Sequence, residues 1–114
     1  MARSGLQAAL ASYLEEHAVS LVCLNGDAKD SRFKIERERV MLGSGPAAGV
    51  VVQGRGIARA HAVVEFWGSS FVLREIDPAA PIALNGAPCR CRELRDGDRF
   101  AIAEFGFEFH CERI

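Results

Sequence analysis

Three stretches of this chain carry residue types that do chemistry. Gly43-Ser44-Gly45-Pro46-Ala47-Ala48-Gly49 is glycine-rich, as a phosphate-cradling loop is. It lacks the lysine such a loop uses, and Val50-Val51-Val52 follows it as a strand, not as a helix whose N-terminus could hold an anion. Nucleotide binding is therefore not expected. Cys89 and Cys91, with His110 and Cys111 further on, offer soft metal ligands. Structural zinc favours Cys-x-x-Cys spacing and a second pair. On a single strand Cys89 and Cys91 would face one side, as packed core thiols do, so no metal and no other cofactor is expected. The third stretch is Gln53-Gly54-Arg55-Gly56 with Arg59. Two guanidiniums flank one loop there, and glycine N–H groups beside them suit an anion. The plainer reading is a pair of solvated loop charges. The three histidines have no paired nucleophile motif. No catalytic residue is named, and the chain reads as a non-enzyme.

The elements that must position these residues follow from pattern. Leu6, Ala9, Leu10, Tyr13, Leu14 and His17 recur at helical spacing, and Ser4 with Gln7 fits a capping box. Residues 1–18 are thus expected to be a helical extension. Its stripe Leu6/Leu10/Tyr13/Leu14 packs on the main domain, makes a dimer contact, or is the tail of a longer protein's linker helix. From Val19 the period changes to that of strands. Val19–Leu24 ends in the turn signal Asn25-Gly26. Phe33–Glu36 and Val40–Leu42 follow, then Val50–Val52 as a short buried strand. His61–Trp67 and Phe71–Ile76 form a hairpin across Gly68-Ser69-Ser70. Asn85-Gly86 and Arg95-Asp96-Gly97-Asp98 mark further turns. Gly106–Cys111 puts Phe107 and Phe109 on one face and Glu108 and His110 on the other. Trp67, at a hairpin rim, is a candidate partner anchor, since tryptophan is enriched at binding hot spots. Many short strands with closely spaced turns indicate an all-β sandwich or barrel.

Composition narrows the class. With 114 residues the chain supports one core. Hydrophobic residues make up 49% and charged residues 25%, which is globular and far from disordered. The net charge of −1 gives no basic excess for generic nucleic-acid binding. No apolar run reaches membrane-helix length, and the first residues lack the apolar stretch of a signal peptide. A cytoplasmic protein without membrane insertion by this segment is expected. Its four cysteines are then free thiols.

The loops occur in a telling order. Gly43-Ser44 ends a strand, Ala58-Arg59-Ala60-His61 precedes a hairpin, Asn85-Gly86 closes an Asp77-led loop, and Leu94-Arg95-Asp96-Gly97-Asp98 introduces the last strand pair. Over residues 19–113 this resembles the forkhead-associated (FHA) domain, whose order is Gly-Arg, Ser-Arg-x-His, Asn-Gly-Thr, Asn-Gly and Leu-x-x-Gly-Asp. The resemblance implies a two-sheet β-sandwich of about eleven strands, here with a short N-terminal α-helix, whose loops at one end bind phosphothreonine peptides. It also assigns roles. Gly43 matches a glycine required by a tight turn, His61 an internal brace of the binding loops, Gly86 a hairpin turn, and Gly97 and Asp98 the last turn.

The phosphate ligands differ. Ser44 stands where the family has arginine, and Ala58 where it has the phosphate-binding serine; Arg59 is kept. The Asp77–Asn85 loop is shorter than the family's, with Pro81-Ile82 in place of Asn-Gly-Thr. A hydrogen bond to a charged group contributes roughly 1.5–3 kcal/mol. Losing two costs on the order of 3–6 kcal/mol, which takes micromolar binding to about millimolar. The expected interaction surface is Ser44, Arg55, Ala58, Arg59 and Asn85, with Arg59 the main cation. The partner is a protein or peptide, in signalling or complex assembly, with weakened or lost phosphothreonine binding. Two alternatives stay open: phosphothreonine binding through a rearranged pocket, and a scaffold or ring subunit of a secretion apparatus.

Overall fold

Alternating burial along the strands builds two facing sheets. The computed structural model describes residues 5–114, so Ser4 of the capping box lies outside the described residues. A helix, α1 (Gly5–Glu16), leads directly into β1 (His17–Cys23). Then follow β2 (Arg32–Lys34), β3 (Arg39–Gly43), β4 (Val50–Val51), β5 (Ala62–Phe66) and β6 (Phe71–Glu75). The remainder is β7 (Ile82–Leu84), β8 (Ala87–Cys89), β9 (Cys91–Glu93), β10 (Arg99–Ile102) and β11 (Phe105–Arg113). One sheet has the order β2-β1-β11-β10-β7-β8 and the other β4-β3-β5-β6-β9. The eleven strands and two sheets are those expected. No described helix is long and apolar enough to cross a membrane.

The long strand pair β1·β11 shows how sequence selects the core. Leu21 lies opposite Phe109 and Cys23 opposite Phe107, all buried, while Ser20 pairs with His110 and Val22 with Glu108 on the outer face. Phe100 and Ile102 of β10 join them, and Leu42, Val64, Phe66, Phe71 and Leu73 close the core from the other sheet. Each such side chain contributes roughly 1.5–3 kcal/mol on leaving water. Val63 and Val72 point to the opposite face of their sheet, yet they too are buried. Val63 sits beside Met41 and Arg74, and Val72 beside Glu65. Arg39 and Arg74 both pair with Glu65 on this same face.

The helix belongs to this core. Leu10 is buried, and Ala9, Tyr13 and Leu14 pack against the cluster, whereas Leu6 is 40% exposed. The Tyr13 ring lies 5.3 Å from Phe66 and 5.8 Å from Phe71, and its hydroxyl contacts the Cys111 thiol at 3.0 Å.

Four expectations need correction. His17 is not on the helical stripe; it opens β1, where its ring stacks on Tyr13 at 4.0 Å. Asn25-Gly26 is not a tight hairpin turn, because residues 24–31 intervene before β2. Val50–Val52 is not buried throughout: β4 is an edge strand paired in parallel with β3, and Val51 is 56% exposed. Cys89 and Cys91 do not share a face. The chain changes sheets at Arg90, leaving Cys89 buried on β8 and Cys91 exposed on β9. All four cysteines are free thiols.

Burial, and then the contact with Cys111, hold the Tyr13 phenol above its ordinary ionisation range. The folded state favours the neutral phenol, so this contribution to stability is complete below about pH 10 and shrinks as the pH rises past it. Tyr13 is the only tyrosine in the chain. Phenolate absorbance in an alkaline titration should therefore appear later in native protein than in denaturant, where it should rise near pH ~10.

Candidate functional site

Glycine 43 lets two loops meet. A Cβ there would lie 2.2 Å from the Arg59 carbonyl oxygen and 2.9 Å from that of Ala58. The backbone of Gly43 is not left-handed, so its requirement is close approach and not the tight turn that the resemblance implied. Ser44 N–H donates to the Ala58 carbonyl at 3.0 Å and Gly45 N–H to that of Arg59 at 3.1 Å. The loop after β3 and the loop before β5 are thereby joined through their backbones.

His61 adds a third loop. Its ring is 1% exposed. Ala58 N–H donates to Nδ1 at 3.2 Å, which places the ring proton on Nε2, and Nε2 donates to the Pro81 carbonyl at 3.2 Å. The His61 backbone also donates to Leu42 O and accepts from Ile76 N–H. One residue thus fastens β3, the 57–60 loop and the loop between β6 and β7. That last loop opens on a turn in which the Asp77 carboxylate accepts from Ala79 N–H at 2.9 Å.

The structure brings Ser44, Ala58 and Arg59 together and leaves them unequal. Ser44 and Ala58 are half-buried, while Arg55 and Arg59 are exposed. No ion pair among the described residues involves either guanidinium. Asn85 lies apart, at the other end of β7 from Pro81. It has φ 50° and Gly86 φ 84°, the two left-handed positions of a tight hairpin. Its amide nitrogen donates to Asp98 and its oxygen accepts from Arg99 N–H. Asp98 in turn accepts from Arg95 N–H at 2.8 Å, and Gly97 has φ 87°. Asn85, Gly86, Gly97 and Asp98 form one linked pair of turns remote from the loop end.

Two positions at the loop end escaped sequence reasoning. Asn25 donates to Glu104 O at 2.7 Å and accepts from Gly106 N–H at 2.9 Å, tying the 24–31 loop to the turn between β10 and β11. Phe105 lies beneath Gly54 and Gly26, where added Cβ atoms would come within 2.6 and 3.0 Å of its ring. The only signal was Asn25-Gly26, which reads equally well as a hairpin. These residues border a groove of about 560 Å³ whose charged side chains are Asp27 and Glu104, both acidic.

This architecture is that of the forkhead-associated domain. A forkhead-associated domain solved in a study of phosphothreonine-dependent interactions superposes with a TM-score of 0.76, at 18% identity over 85% of this chain and 99% of that one. The forkhead-associated domain of CT664 from Chlamydia trachomatis matches at TM-score 0.74 and 18% identity, over 82% and 96%. The cytoplasmic domain of the type III secretion sorting-platform protein PscD from P. aeruginosa matches at TM-score 0.70 and 22% identity, over 81% and 78%. No curated protein gives a significant match. Within this fold class the chain belongs to the family described as the inner membrane component of the type III secretion system, cytoplasmic domain, whose model matches residues 22–112.

Gly43→Ala should be poorly tolerated, because backbone meets backbone and no flexible side chain can yield. A loss of about 1–3 kcal/mol is expected, lowering Tm by roughly 5–15 °C in a thermal melt. Ser44→Ala, which keeps the backbone bonds, should melt near the native protein.

Proposed function

We propose that this chain is a non-enzymatic protein-interaction domain on the cytoplasmic side of a secretion apparatus. In this reading its loop end docks an unmodified segment of another component of the assembly. One contrast supports it. The backbone that arranges the loops is complete, from the Gly43 contact with Arg59 to the His61 brace. The side chains at the two ligand positions are Ser44 and Ala58, which supply neither a guanidinium nor, at 58, any polar group. A doubly charged phosphate is held by several charge-assisted hydrogen bonds. Here the exposed Arg59, with Arg55 on the same loop, is the main cationic contact, and Asp27 and Glu104 on the adjoining groove oppose a dianion. An unphosphorylated segment that brings no more than a single carboxylate to Arg59 suits this balance better.

The scaffold role and the docking role coincide, since a subunit of an assembly must hold its neighbours. The family favours the secretion reading over signalling. Helix α1 directs Leu10 and Tyr13 into its own domain, which weakens the case for dimerisation through that stripe.

A second reading has one observation in its favour. The guanidiniums of Arg55 and Arg59, which make no ion pair among the described residues, and the glycines at 54 and 56 support a rebuilt phosphate site. Titration with a phosphothreonine peptide library and its unphosphorylated acidic counterpart separates the two. The expected result is that phosphate changes affinity by less than about tenfold, the equivalent of 1.4 kcal/mol, and that Arg59→Ala weakens both. Micromolar capture that needs the phosphate and disappears in Arg59→Ala would establish the second reading instead.

A further inference from the structure

Strand alternation sends the neighbours His110 and Cys111 to opposite faces of the six-stranded sheet. The Cys111 thiol turns to Tyr13 and the core. His110 stands on the outer face of β11, with Glu108 and Glu112 two residues away on either side. Asp96, from the turn before β10, reaches the same place, because its Oδ1 accepts from Cys111 N–H at 2.9 Å. One ligand atom from each of Asp96, His110 and Glu112 lies within 4.8 Å of the other two. No cysteine belongs to this set.

The half-buried imidazole separates this group from an ordinary acidic cluster. His110 Nε2–H donates to Glu108 Oε1 at 2.7 Å, and Arg99 holds the other oxygen of that carboxylate at 2.7 Å. Metal-bound imidazoles make such an outer bond, which fixes the ring and its tautomer. With the proton on Nε2, the Nδ1 lone pair is left for an ion. Nδ1 lies 3.8 Å from Glu112 Oε1. That is too long for a hydrogen bond. It is close to the separation of about 3.4 Å for two ligands that each sit ~2.1 Å from one tetrahedral ion. Glu112 is 69% exposed, so its side chain is free to close the difference. Asp96 is oriented by its bond to Cys111 N–H, which engages one oxygen and leaves the other to an ion.

Charge and ligand type set the class of ion. Neither Asp96 nor Glu112 pairs with an arginine or lysine among the described residues, and Arg99 offsets Glu108. Arg113 turns to Glu16 at 3.8 Å, and Arg95, beside Asp96, is exposed. Arg32 and Lys34 stand on β2, two strands and about 10 Å from β11. Arg32 donates there to the Ser20 hydroxyl at 2.6 Å. Two carboxylates thus remain to offset a divalent ion. Magnesium and calcium prefer oxygen alone, whereas one imidazole with two carboxylates suits zinc and its neighbours. We propose that Asp96, His110 and Glu112 bind one divalent transition-metal ion of the zinc class and leave its fourth position open. Bound there, the ion ties the 95–98 turn to the C-terminal part of β11.

Calorimetric titration of the intact, chelator-treated chain with zinc chloride, and in parallel with magnesium chloride, tests this. One zinc ion should bind with micromolar affinity, about tenfold or more tighter than magnesium, and should raise Tm until a chelator is added. Asp96→Asn and Glu112→Gln keep the shapes of exposed side chains, and each should weaken zinc by about tenfold or more. Glu108→Gln, which touches no ion, should also weaken it by about tenfold. Cys91→Ser should bind zinc as the native chain does. In the NMR spectrum of the native chain, zinc should move the ring signals of His110 and leave those of His17 and His61 in place. That readout holds even where a variant fails to fold. Binding that Cys91→Ser abolishes would put the ion on a thiol and overturn the proposal. An equal response to zinc and magnesium would reduce the group to loosely screened carboxylates and overturn it as well. So would the lack of saturable zinc binding below ~1 mM, or saturation that leaves the His110 ring signals unmoved.

Discussion

The contact between the Arg59 carbonyl and the bare Cα of Gly43 is the constraint on which the loop end depends. It brings two backbones closer than any side chain would allow. The N–H groups of Ser44 and Gly45 then reach the carbonyls of Ala58 and Arg59. His61 completes the arrangement from below, with one ring nitrogen accepting and the other donating. None of these bonds uses the side chains at 44, 58 or 59. The frame of the loops and the side chains they present are therefore separable, and the residues at 44, 58 and 59 can change while the frame's bonds stay in place. That separability is how one fold can present different chemistry at the same loops.

Strand alternation carried most of the fold. Phe107 and Phe109 against Glu108 and His110 fixed the faces of β11, and Asn85-Gly86 announced its hairpin, because both signals are local. The failures have a common cause in pairing partners distant in sequence. Val50–Val52 reads as buried from hydropathy alone, but β4 is an edge strand and Val51 turns to solvent. Asn25 looks like a turn residue, and its amide binds Glu104 and Gly106, some 80 positions away. Asn85 reads as part of the ligand loop, and its amide is engaged by Asp98 and Arg99. Cys89 and Cys91 appear to share a strand because nothing in Cys-Arg-Cys signals a change of sheet.

The outer faces of the two sheets are organised by polar side-chain clusters in different ways. On the six-stranded sheet Arg99 and His110 both reach Glu108 at 2.7 Å, over a surface that is polar beneath. On the five-stranded sheet Arg39 and Arg74 converge on Glu65 above buried Val63 and Val72. The second arrangement lies on a face whose valines are themselves buried, at 1% and 4% exposure. Exposed ion pairs by themselves contribute little, ~0–1 kcal/mol.

The change of sheet at Arg90 has a mechanical corollary. On that flank a single residue links β8 of one layer to β9 of the other, so the layers are stitched together covalently and have little freedom to part. The opposite flank ends in the short strands β2 and β4, which belong to different layers and are joined only through longer connections. The sandwich is accordingly a book with its spine at Arg90 and its open margin at Phe33 and Val50. Any breathing of the layers opens that margin first, while the spine side keeps its register.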